Sequence, residues 1–303
     1  MERTLISRII PGTEVKVQGF LERVRNTGAM AFLVLRDRMG KVQVTIEKAV
    51  HPELAEELNN LTPESIVTVE GTAAANPQVR LNGLEILPER LVIESLAAPL
   101  PLNKDAAVDT RMDYRWLELR GEKERLLFEV QTCLVSAMRQ FLTERDFLEI
   151  HTPKLIAAAS ESGADVFEVK YFDRKAYLAQ SPQFYKQMAM AAGFERIFET
   201  GPVFRAEKSF TNRHATEFSG FDLELSYIES FEDVMRLEAE LLTYALEQVA
   251  RQYGEAIERQ YGVKVIVPQL PFPQISLKEL YAELERRYGY TVPESEKGDM
   301  TTE

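Results

Sequence analysis

Short alternating runs of apolar and polar residues fill the N-terminal third of the chain, from Glu14 to Ser95. Alternation of this kind is typical of β-strands with one buried face, and turn residues separate the runs. The candidate strands are VKVQGFLERV, AFLVLRD, KVQVTIE, SIVTVEGTAAA and LEILPERLVIE, and a helix is predicted from Pro52 to Asn59. Five strands with a helix after the third favour the closed barrel called the OB-fold, although the pattern fits another small β-barrel equally well.

The pattern breaks at Ala97 to Lys104, where AAPLPLNK carries two prolines that oppose both helix and sheet. This break marks a domain boundary. We predict a barrel domain over residues 1–98, a connecting hinge over 99–120 and a second domain over 121–303. The segment DTRMDYRWLELRG within the hinge alternates charged and apolar residues, so a linker helix rich in ion pairs remains an alternative to a hinge.

The second domain begins with helical periodicity and continues with mixed elements. A helix is predicted over Glu122 to Asp146, extended chain begins at Phe147, and a long amphipathic helix covers Ser230 to Tyr253. Between the helices we expect a hairpin made of a strand, a polar loop and a second strand: Pro202 to Glu207, Lys208 to His214 and Glu217 to Tyr227. The chain is therefore predicted to be an α+β protein.

Composition narrows the functional classes. With 303 residues, 45% of them hydrophobic and 28% charged, the chain can bury a core in each of two domains. A net charge of −12 argues against nucleic-acid binding through a uniformly basic surface, yet it leaves room for a local basic path. The single Cys133 and the scattered His51, His151 and His214 offer neither a disulfide nor zinc-ligand spacing. No apolar run approaches the length of a membrane span, so we expect a cytoplasmic protein without a membrane partner.

The predicted hairpin concentrates groups that suit a nucleotide. Arg205 and Glu207 are predicted to share one face of a strand, where a guanidinium would suit a phosphate and a carboxylate an exocyclic amine. Alone, this pair is better interpreted as a surface ion pair. The neighbouring residues reverse that preference, because they add cations, an aromatic face and two carboxylates on one side of a strand: Arg213, His214, Phe218, Asp222 and Glu224.

The stretches FRAE, RHATEF and FDLEL resemble motif 2 of the class II aminoacyl-tRNA synthetases, and most closely the aspartyl family of archaeal and eukaryotic type. The resemblance implies an OB-fold barrel followed by an antiparallel sheet flanked by helices, with ATP and Mg²⁺ as cofactors. The resemblance also implies that Arg205 is the catalytic group and binds the α-phosphate of ATP. The remaining ATP contacts would come from Phe218 on adenine, Glu207 on its amine, and Arg213 and His214 on the distal phosphates.

A second stretch, QSPQFYKQMAMAAG, supplies the predicted amino-acid pocket. Gln183 and Lys186 share a helix face near an N-terminus that favours an anion, but by themselves they are better interpreted as solvated. The resemblance makes Gln183 a neighbour of the α-amino group and Lys186 a partner of the side-chain carboxylate, with Asp222 also binding aspartate. It further places Glu161 at the tip of a closing loop, where Ser162 precedes Gly163 and departs from the usual two glycines.

Burial favours aspartate as the amino acid. A buried lysine requires a carboxylate, and an asparagine amide would leave it uncompensated. Asparaginyl enzymes, moreover, tend to carry an acidic residue at the position of Lys186.

The barrel carries a cation, an aromatic platform and an amide that suit unstacked bases. Arg23 and Arg25 alternate onto one face of the first strand, Phe32 follows a turn, and Gln43 lies in the third strand. Taken singly, none of these residues indicates nucleic-acid binding, and Phe32 also fits a core position. The resemblance implies an anticodon-binding domain for tRNA(Asp), with Phe32 stacking on a base and Gln43 reading a base edge; charging of tRNA(Asn) stays open.

The resemblance is incomplete at the C-terminal end. The helix and strand ending in FLEIHTPKL resemble motif 1, which implies a homodimer, but no glycine-rich strand followed by an arginine-bearing helix corresponds to motif 3. Acidic magnesium ligands are expected in the same unmatched part, so they cannot be assigned. We therefore expect impaired activity in this chain alone. One alternative is a catalytically incomplete fragment that binds tRNA through its barrel. The others are an asparaginyl-tRNA synthetase and an asparagine-forming relative of the family, although such a relative would not need the barrel that is present here.

Overall fold

The computed structural model describes residues 1–58, 61–103, 105–160, 166–207, 215–294 and 297–298. The chain forms two compact units, Met1–Glu118 and Leu119–Glu303. Within the described ranges, no helix is both long and apolar enough to span a lipid bilayer.

The first unit is a closed five-stranded barrel with strand order β1-β2-β3-β5-β4. Its elements are β1 (Glu14–Asn26), β2 (Met30–Asp37), β3 (Gly40–Glu47), α1 (Pro52–Glu57), β4 (Ile66–Ala75) and β5 (Leu84–Ser95). The predicted OB-fold is confirmed, including the helix after the third strand.

Strand alternation builds the barrel core. Every second residue of the central strands is buried, and these inward residues are all aliphatic: Ala31, Leu33 and Leu35 from β2, and Val42, Val44 and Ile46 from β3. Because side chains alternate across a strand, the residues between them lie on the outer face of the barrel. Phe32 and Gln43 are therefore outside the core.

Two short helices follow the barrel, α2 (Val108–Asp113) and α3 (Arg115–Glu118). Arg111 and Arg115 both form ion pairs with Glu118. These local ion pairs fit the linker alternative, and the hinge over residues 99–120 stays a prediction.

The second unit combines four helices with two three-stranded sheets among its described residues. Its elements are α4 (Glu122–Thr143), β6 (Leu148–Glu149), β7 (Leu155–Ile156), β8 (Glu168–Tyr171), β9 (Arg174–Leu178), α5 (Gln183–Ala191), β10 (Arg196–Phe204), β11 (Glu217–Leu225), α6 (Phe231–Tyr261) and α7 (Leu277–Tyr288). The strand orders are β11-β10-β6 and β7-β9-β8. The hairpin β10–β11 is antiparallel, and β6 joins β10 in parallel. Helices α4 and α6 cover one face of this sheet through Phe141, Phe198 and Leu241.

Several predicted boundaries of this unit were wrong. Strand β10 begins at Arg196 rather than Pro202 and ends at Phe204, so Arg205 and Glu207 lie beyond it. Strand β11 ends at Leu225 rather than Tyr227, whose backbone is left-handed with φ 58°. Helix α6 continues past Gly254 to Tyr261 and ends where Gly262 takes φ 71°, because an interior glycine costs a long helix only about 1 kcal/mol. Helix α4 ends at Thr143 rather than Asp146.

A buried ion pair ties β10 to the segment after β6. The side chain of Glu199 is only 3% exposed and accepts hydrogen bonds from the Thr152 backbone N–H at 2.9 Å, the Thr152 hydroxyl at 2.7 Å and the Lys154 ammonium at 2.9 Å. Burial works against ionisation of the Glu199 carboxyl, but the three donors outweigh it and hold its pKa below the ordinary value.

Replacing Glu199 with glutamine is expected to lower the free energy of unfolding by about 1–3 kcal/mol, because buried donors lose a charged acceptor. The depressed pKa means that the native carboxylate stabilises the fold above the ordinary carboxyl pKa, and that this contribution is lost as the pH falls through the folded pKa. Urea denaturation at neutral and acidic pH measures both effects. Equal stability of the two proteins at neutral pH would contradict the assignment.

Candidate active site and nucleic-acid face

The register of the β10–β11 hairpin determines which side chains share the face opposite the helices. Glu199 pairs with Asp222, Gly201 with Gly220, and Val203 with Phe218. Directly opposed residues of an antiparallel pair lie on the same face. The prediction that Asp222 and Glu224 share one side of a strand is confirmed, since both belong to this polar face while Phe221, Leu223 and Leu225 join the core on the other.

Arg205 and Phe218 form the end of this face nearest the hairpin loop. The Arg205 guanidinium carbon lies 5.5 Å from the centre of the Phe218 ring, and Phe218 is 39% exposed. The Arg205 Nε is buried and has no hydrogen-bond partner among the described residues. A buried guanidinium donor without a partner, next to an open aromatic ring, suits a ligand that carries both a phosphate and a base.

The prediction that Arg205 and Glu207 occupy one strand face is wrong, because β10 ends at Phe204. The backbone N–H of Arg205 still donates to the Thr216 carbonyl at 3.0 Å, so strand-like pairing reaches Arg205 itself. Glu207 is half-buried outside any strand. Three other predicted ligand contacts, Glu161, Arg213 and His214, lie outside the described residues.

Lys186 lies at the opposite end of the polar face. It is 7% exposed, and its ammonium lies 3.1 Å from Asp222 Oδ1 and 3.5 Å from Glu224 Oε2. Gln183, on the first turn of α5, precedes it by three residues, so both point from one helix face. The structure thus brings together Lys186 and Asp222, which the sequence analysis assigns to one pocket. It adds to them Glu224, which the sequence analysis placed beside Asp222 on the strand but did not assign to that pocket.

At the Lys186 end of the face, the protein's own charges leave no excess positive charge for the carboxylate of a ligand. One ammonium faces two carboxylates, so the Lys186 charge is already compensated within the protein. The expectation that an asparagine amide would leave Lys186 uncompensated is therefore wrong, and burial of Lys186 does not by itself favour aspartate. An ammonium group of a ligand would be attracted to Asp222 and Glu224, and a ligand carboxylate beside Lys186 would require a further cation. This arrangement suits an amino acid, whose charges have both signs, better than a simple anion.

Metal binding has no ready-made site in the described ranges. In them, no group of three or more histidine, cysteine, aspartate or glutamate side chains is placed to hold a metal ion. The acidic magnesium ligands expected in the unmatched C-terminal part stay a prediction.

The barrel gathers its predicted nucleic-acid residues on one outer face. Arg25 pairs with Phe32 across β1 and β2, and Phe32 pairs with Thr45 across β2 and β3. In the neighbouring row, Arg23 and Gln43 both pair with Val34. The predicted trio of Arg25, Phe32 and Gln43 therefore lies within two adjacent rows of the outer sheet.

The environment of Phe32 and Gln43 suits contact with a ligand. Phe32 is half-buried and lies opposite the core face, so it is not a core residue. The Gln43 amide nitrogen donates to Thr45 Oγ1 at 3.0 Å and approaches Glu85 Oε2 at 3.5 Å, which fixes the orientation of the side chain. Exposed arginines, an accessible ring and an oriented amide are the groups that single-stranded nucleic acids require.

Comparison with known families agrees with both units. Residues 107–301 match the family model described as tRNA synthetases class II (D, K and N), and residues 15–93 match the OB-fold nucleic acid binding domain. The chain therefore belongs to the class II tRNA synthetases. The predicted family is confirmed.

Individual relatives carry names that specify an amino acid. The aspartate–tRNA(Asp/Asn) ligase of Methanopyrus kandleri is 44% identical over 96% of this chain and 68% of its own length. The aspartate–tRNA(Asp) ligase of Pyrococcus abyssi is 39% identical over 98% of this chain and 68% of its own length. Among solved structures, the asparaginyl-tRNA synthetase of Pyrococcus horikoshii with asparaginyl-adenylate superposes with a TM-score of 0.87 at 31% identity, covering 97% of this chain and 69% of that one. The chain spans about two thirds of the length of these relatives.

Proposed function

We propose that this protein is an aspartate–tRNA ligase that joins aspartate to ATP and transfers the aspartyl group to tRNA(Asp). The observation that carries the proposal is one face of the hairpin, where the register places Phe218 and Asp222. Arg205 lies against Phe218 at one end of this face, and Lys186 lies against Asp222 at the other. ATP, accompanied by Mg²⁺, would occupy the end with Arg205 and Phe218, and aspartate the end with Lys186. The names of the relatives support aspartate over the asparaginyl alternative.

In the first step, a carboxylate oxygen of aspartate bonds to the α-phosphorus of ATP, and the bond from that phosphorus to the oxygen bridging to the β-phosphate breaks. Pyrophosphate leaves and aspartyl-adenylate remains. Arg205 would donate to the α-phosphate oxygens and stabilise the charge that grows there, while Phe218 would hold the adenine by stacking. Glu207, Arg213 and His214 complete the proposed nucleotide contacts. Bound Mg²⁺ would neutralise part of the phosphate charge.

Selection of the amino acid is assigned to the Lys186 end of the face. Asp222, together with Gln183 and Glu161, would receive the α-amino group, and Lys186 would face the side-chain carboxylate. In the second step, a terminal ribose hydroxyl of the tRNA would attack the carbonyl carbon of the adenylate and release AMP. The barrel, residues 1–98, would hold the anticodon through Arg25, Phe32 and Gln43, and residues 121–303 would carry the chemistry.

Two further assignments belong to the same proposal. We assign the protein to the cytoplasm, where charged tRNA is used, and to a homodimer formed through α4 and β6. The dimer is supported by large apolar side chains exposed on these elements, Leu127 and Phe128 on α4 and Leu148 on β6.

The chain by itself is expected to show little aspartate-dependent exchange between pyrophosphate and ATP. It spans about two thirds of the length of its relatives, and the sequence offers no counterpart of the glycine-rich strand and arginine-bearing helix of motif 3. Exchange measured with isotopic pyrophosphate, in the 303-residue chain and in the product of the complete natural gene, tests this expectation. Robust exchange by the chain alone would show that those elements are dispensable. If the complete gene product exchanges with neither aspartate nor asparagine but still binds tRNA, the binding-module alternative is correct.

Replacing Phe32 with alanine is expected to weaken tRNA(Asp) binding by about 10-fold or more, because stacking on one base contributes about 1–3 kcal/mol. Fluorescence titration with tRNA(Asp) and tRNA(Asn) measures the effect and also shows whether the barrel accepts both. Phe231→Ala, which removes an exposed phenylalanine from α6, is the matched control and should bind as the unaltered chain does. Equal weakening by both substitutions would count against the barrel as the anticodon site.

A further inference from the structure

A polar cleft opens at the end of the β10–β11 hairpin where Arg196 pairs with Leu225, away from the hairpin loop. Its volume is about 570 Å³, which is within the range of small-molecule sites. None of its lining residues belongs to the polar face of the hairpin, and Leu225, which lines it, packs against the core on the helix side of the sheet. We call it the arginine cleft. The lining residues that matter for its chemistry are Arg145, Arg196, Tyr227, Glu229 and Glu240.

Two neighbouring arginines of the cleft have guanidinium groups that are fixed in place but not neutralised. The Arg145 Nη1 donates to the Phe141 carbonyl at 3.1 Å, and the guanidinium carbon lies 3.5 Å from the centre of the Phe141 ring. The Arg196 Nη1 donates to the Arg145 carbonyl at 3.1 Å, and its guanidinium carbon lies 5.8 Å from the centre of the Phe147 ring. Among the described residues, neither arginine forms an ion pair with a carboxylate, so most of the five N–H groups of each guanidinium are available to a ligand. Two guanidinium groups held in this way suit a phosphate.

The acidic residues of the cleft limit how much negative charge a ligand can bring. Asp233 pairs with Arg236 and accepts hydrogen bonds from two backbone N–H groups at the start of α6, so its charge is used within the protein. Glu229 and Glu240 have no ion-pair partner in the described part of the chain. The two arginines are thus accompanied by two carboxylates, a balance that favours a ligand with a single phosphate group over a polyanion such as RNA. Carboxylates also accept hydrogen bonds from ribose hydroxyls and from exocyclic amines.

Tyr227 adds an open aromatic ring to the cleft. It is 89% exposed, and its φ of 58° is left-handed, a conformation that bulky residues rarely adopt. Asp146 and Glu195, the direct sequence neighbours of the two arginines, are also left-handed, with φ 63° each. Non-glycine residues in this conformation cluster at ligand sites. At Tyr227 the turn therefore presents an aromatic ring at a position where folding alone would favour a glycine.

We propose that the arginine cleft is a second nucleotide site, which binds a nucleoside monophosphate. Arg145 and Arg196 hold the phosphate, and Tyr227 stacks on the base. Glu229 and Glu240 accept hydrogen bonds from the ribose hydroxyls and from an exocyclic amine of the base. The cleft is separate from the polar face of the hairpin, so this inference goes beyond the proposed function. AMP has one phosphate and an exocyclic amine, and the proposed reaction releases it, which makes AMP the ligand to test.

Calorimetric titration with AMP tests the inference in the product of the complete natural gene. The protein is first saturated with a non-hydrolysable aspartyl-adenylate analogue, which keeps AMP from the polar face of the hairpin, and we expect AMP still to bind. Arg145→Gln combined with Arg196→Gln should weaken AMP binding by about 100-fold or more, because a hydrogen bond to a charged group commonly contributes about tenfold or more. Tyr227→Ala should weaken it by about 10-fold through the lost stacking. Tyr288→Ala, which removes an exposed tyrosine ring from α7, is the matched control and should bind AMP as the unaltered protein does.

Absence of AMP binding to the saturated protein, or AMP binding that neither the double variant nor Tyr227→Ala changes, would overturn the inference. Inorganic phosphate that binds as tightly as AMP would contradict the nucleoside contacts, and AMP displaced by a single-stranded RNA oligonucleotide would assign the cleft to RNA instead. The melting temperature shows whether the double variant is folded, and the exposed Tyr227 provides a variant that does not disturb the core. If the analogue itself fails to bind, the proposed function is refuted, while titration of the protein with AMP alone still tests the cleft.

Discussion

Replacing Lys186 with alanine is expected to abolish aspartate activation, with kcat/KM for aspartate falling by about 10³-fold or more. The substitution leaves Asp222 and Glu224 facing each other without the ammonium that lies 3.1 Å and 3.5 Å from them. Truncating one partner of a buried charge pair between a protein and its ligand costs about 2–5 kcal/mol of binding free energy, and each 1.4 kcal/mol is tenfold. The aspartate side chain would also lose its nearest cation. Aspartate-dependent pyrophosphate exchange in the complete gene product measures the loss.

Lys175→Ala is the matched control for this prediction. Lys175 pairs with Glu168 on the exposed β8–β9 hairpin, and exposed ion pairs contribute little. Exchange by Lys175→Ala should equal that of the unaltered protein. Because Lys186 is buried, the melting temperature and tRNA binding by the barrel show whether the Lys186 variant is folded. A folded Lys186→Ala protein with unchanged use of aspartate would remove the basis for assigning aspartate.

Replacing Arg205 with glutamine is expected to lower kcat for aspartyl-adenylate formation by about 10²–10³-fold, the usual effect of losing one group that stabilises developing charge. The Arg205 Nε has no hydrogen-bond partner among the described residues, so the fold loses little when the guanidinium is removed. Single-turnover formation of the adenylate separates this effect on the chemical step from effects on binding.

The control for Arg205 is Arg174→Gln, which removes a guanidinium from the exposed end of the β8–β9 hairpin. This variant should form the adenylate at the unaltered rate. If Arg205→Gln raises only KM for ATP and keeps kcat, then Arg205 binds ATP without stabilising the transition state, and the catalytic role assigned to it is wrong.

The barrel was predictable because its strands have one buried and one exposed face. Alternation predicted the strands β2 and β3, but it left open whether Phe32 points into the core, and the structure places Phe32 on the outer face. Strand β10 lies between β11 and β6, and its residues Ile197 and Phe198 are both fully buried although they point to opposite faces. A strand covered on both faces has no alternation. The prediction therefore placed the start of this strand too late.

Within the candidate site, the sequence predicted which residues share a face of one helix or strand. It did not predict which residues of different elements come into contact. The spacing of Gln183 and Lys186 on one helix, and of Asp222 and Glu224 on one strand, follows from local geometry. The double pairing of Lys186 with those carboxylates depends on how α5 packs against β11. The direct pairing of Gly201 with Gly220 likewise depends on strand register, because the two residues lie on different strands.

In the proposed function, one face of the β10–β11 hairpin holds ATP and aspartate together. The most direct test is a crystal structure of the complete gene product with a non-hydrolysable aspartyl-adenylate analogue that carries a sulfamate linkage. We predict the adenine against the Phe218 ring, the linkage within hydrogen-bonding distance of Arg205, and the aspartyl group beside Lys186. An analogue bound elsewhere, or bound with Arg205 and Lys186 both free of contact, would contradict the account.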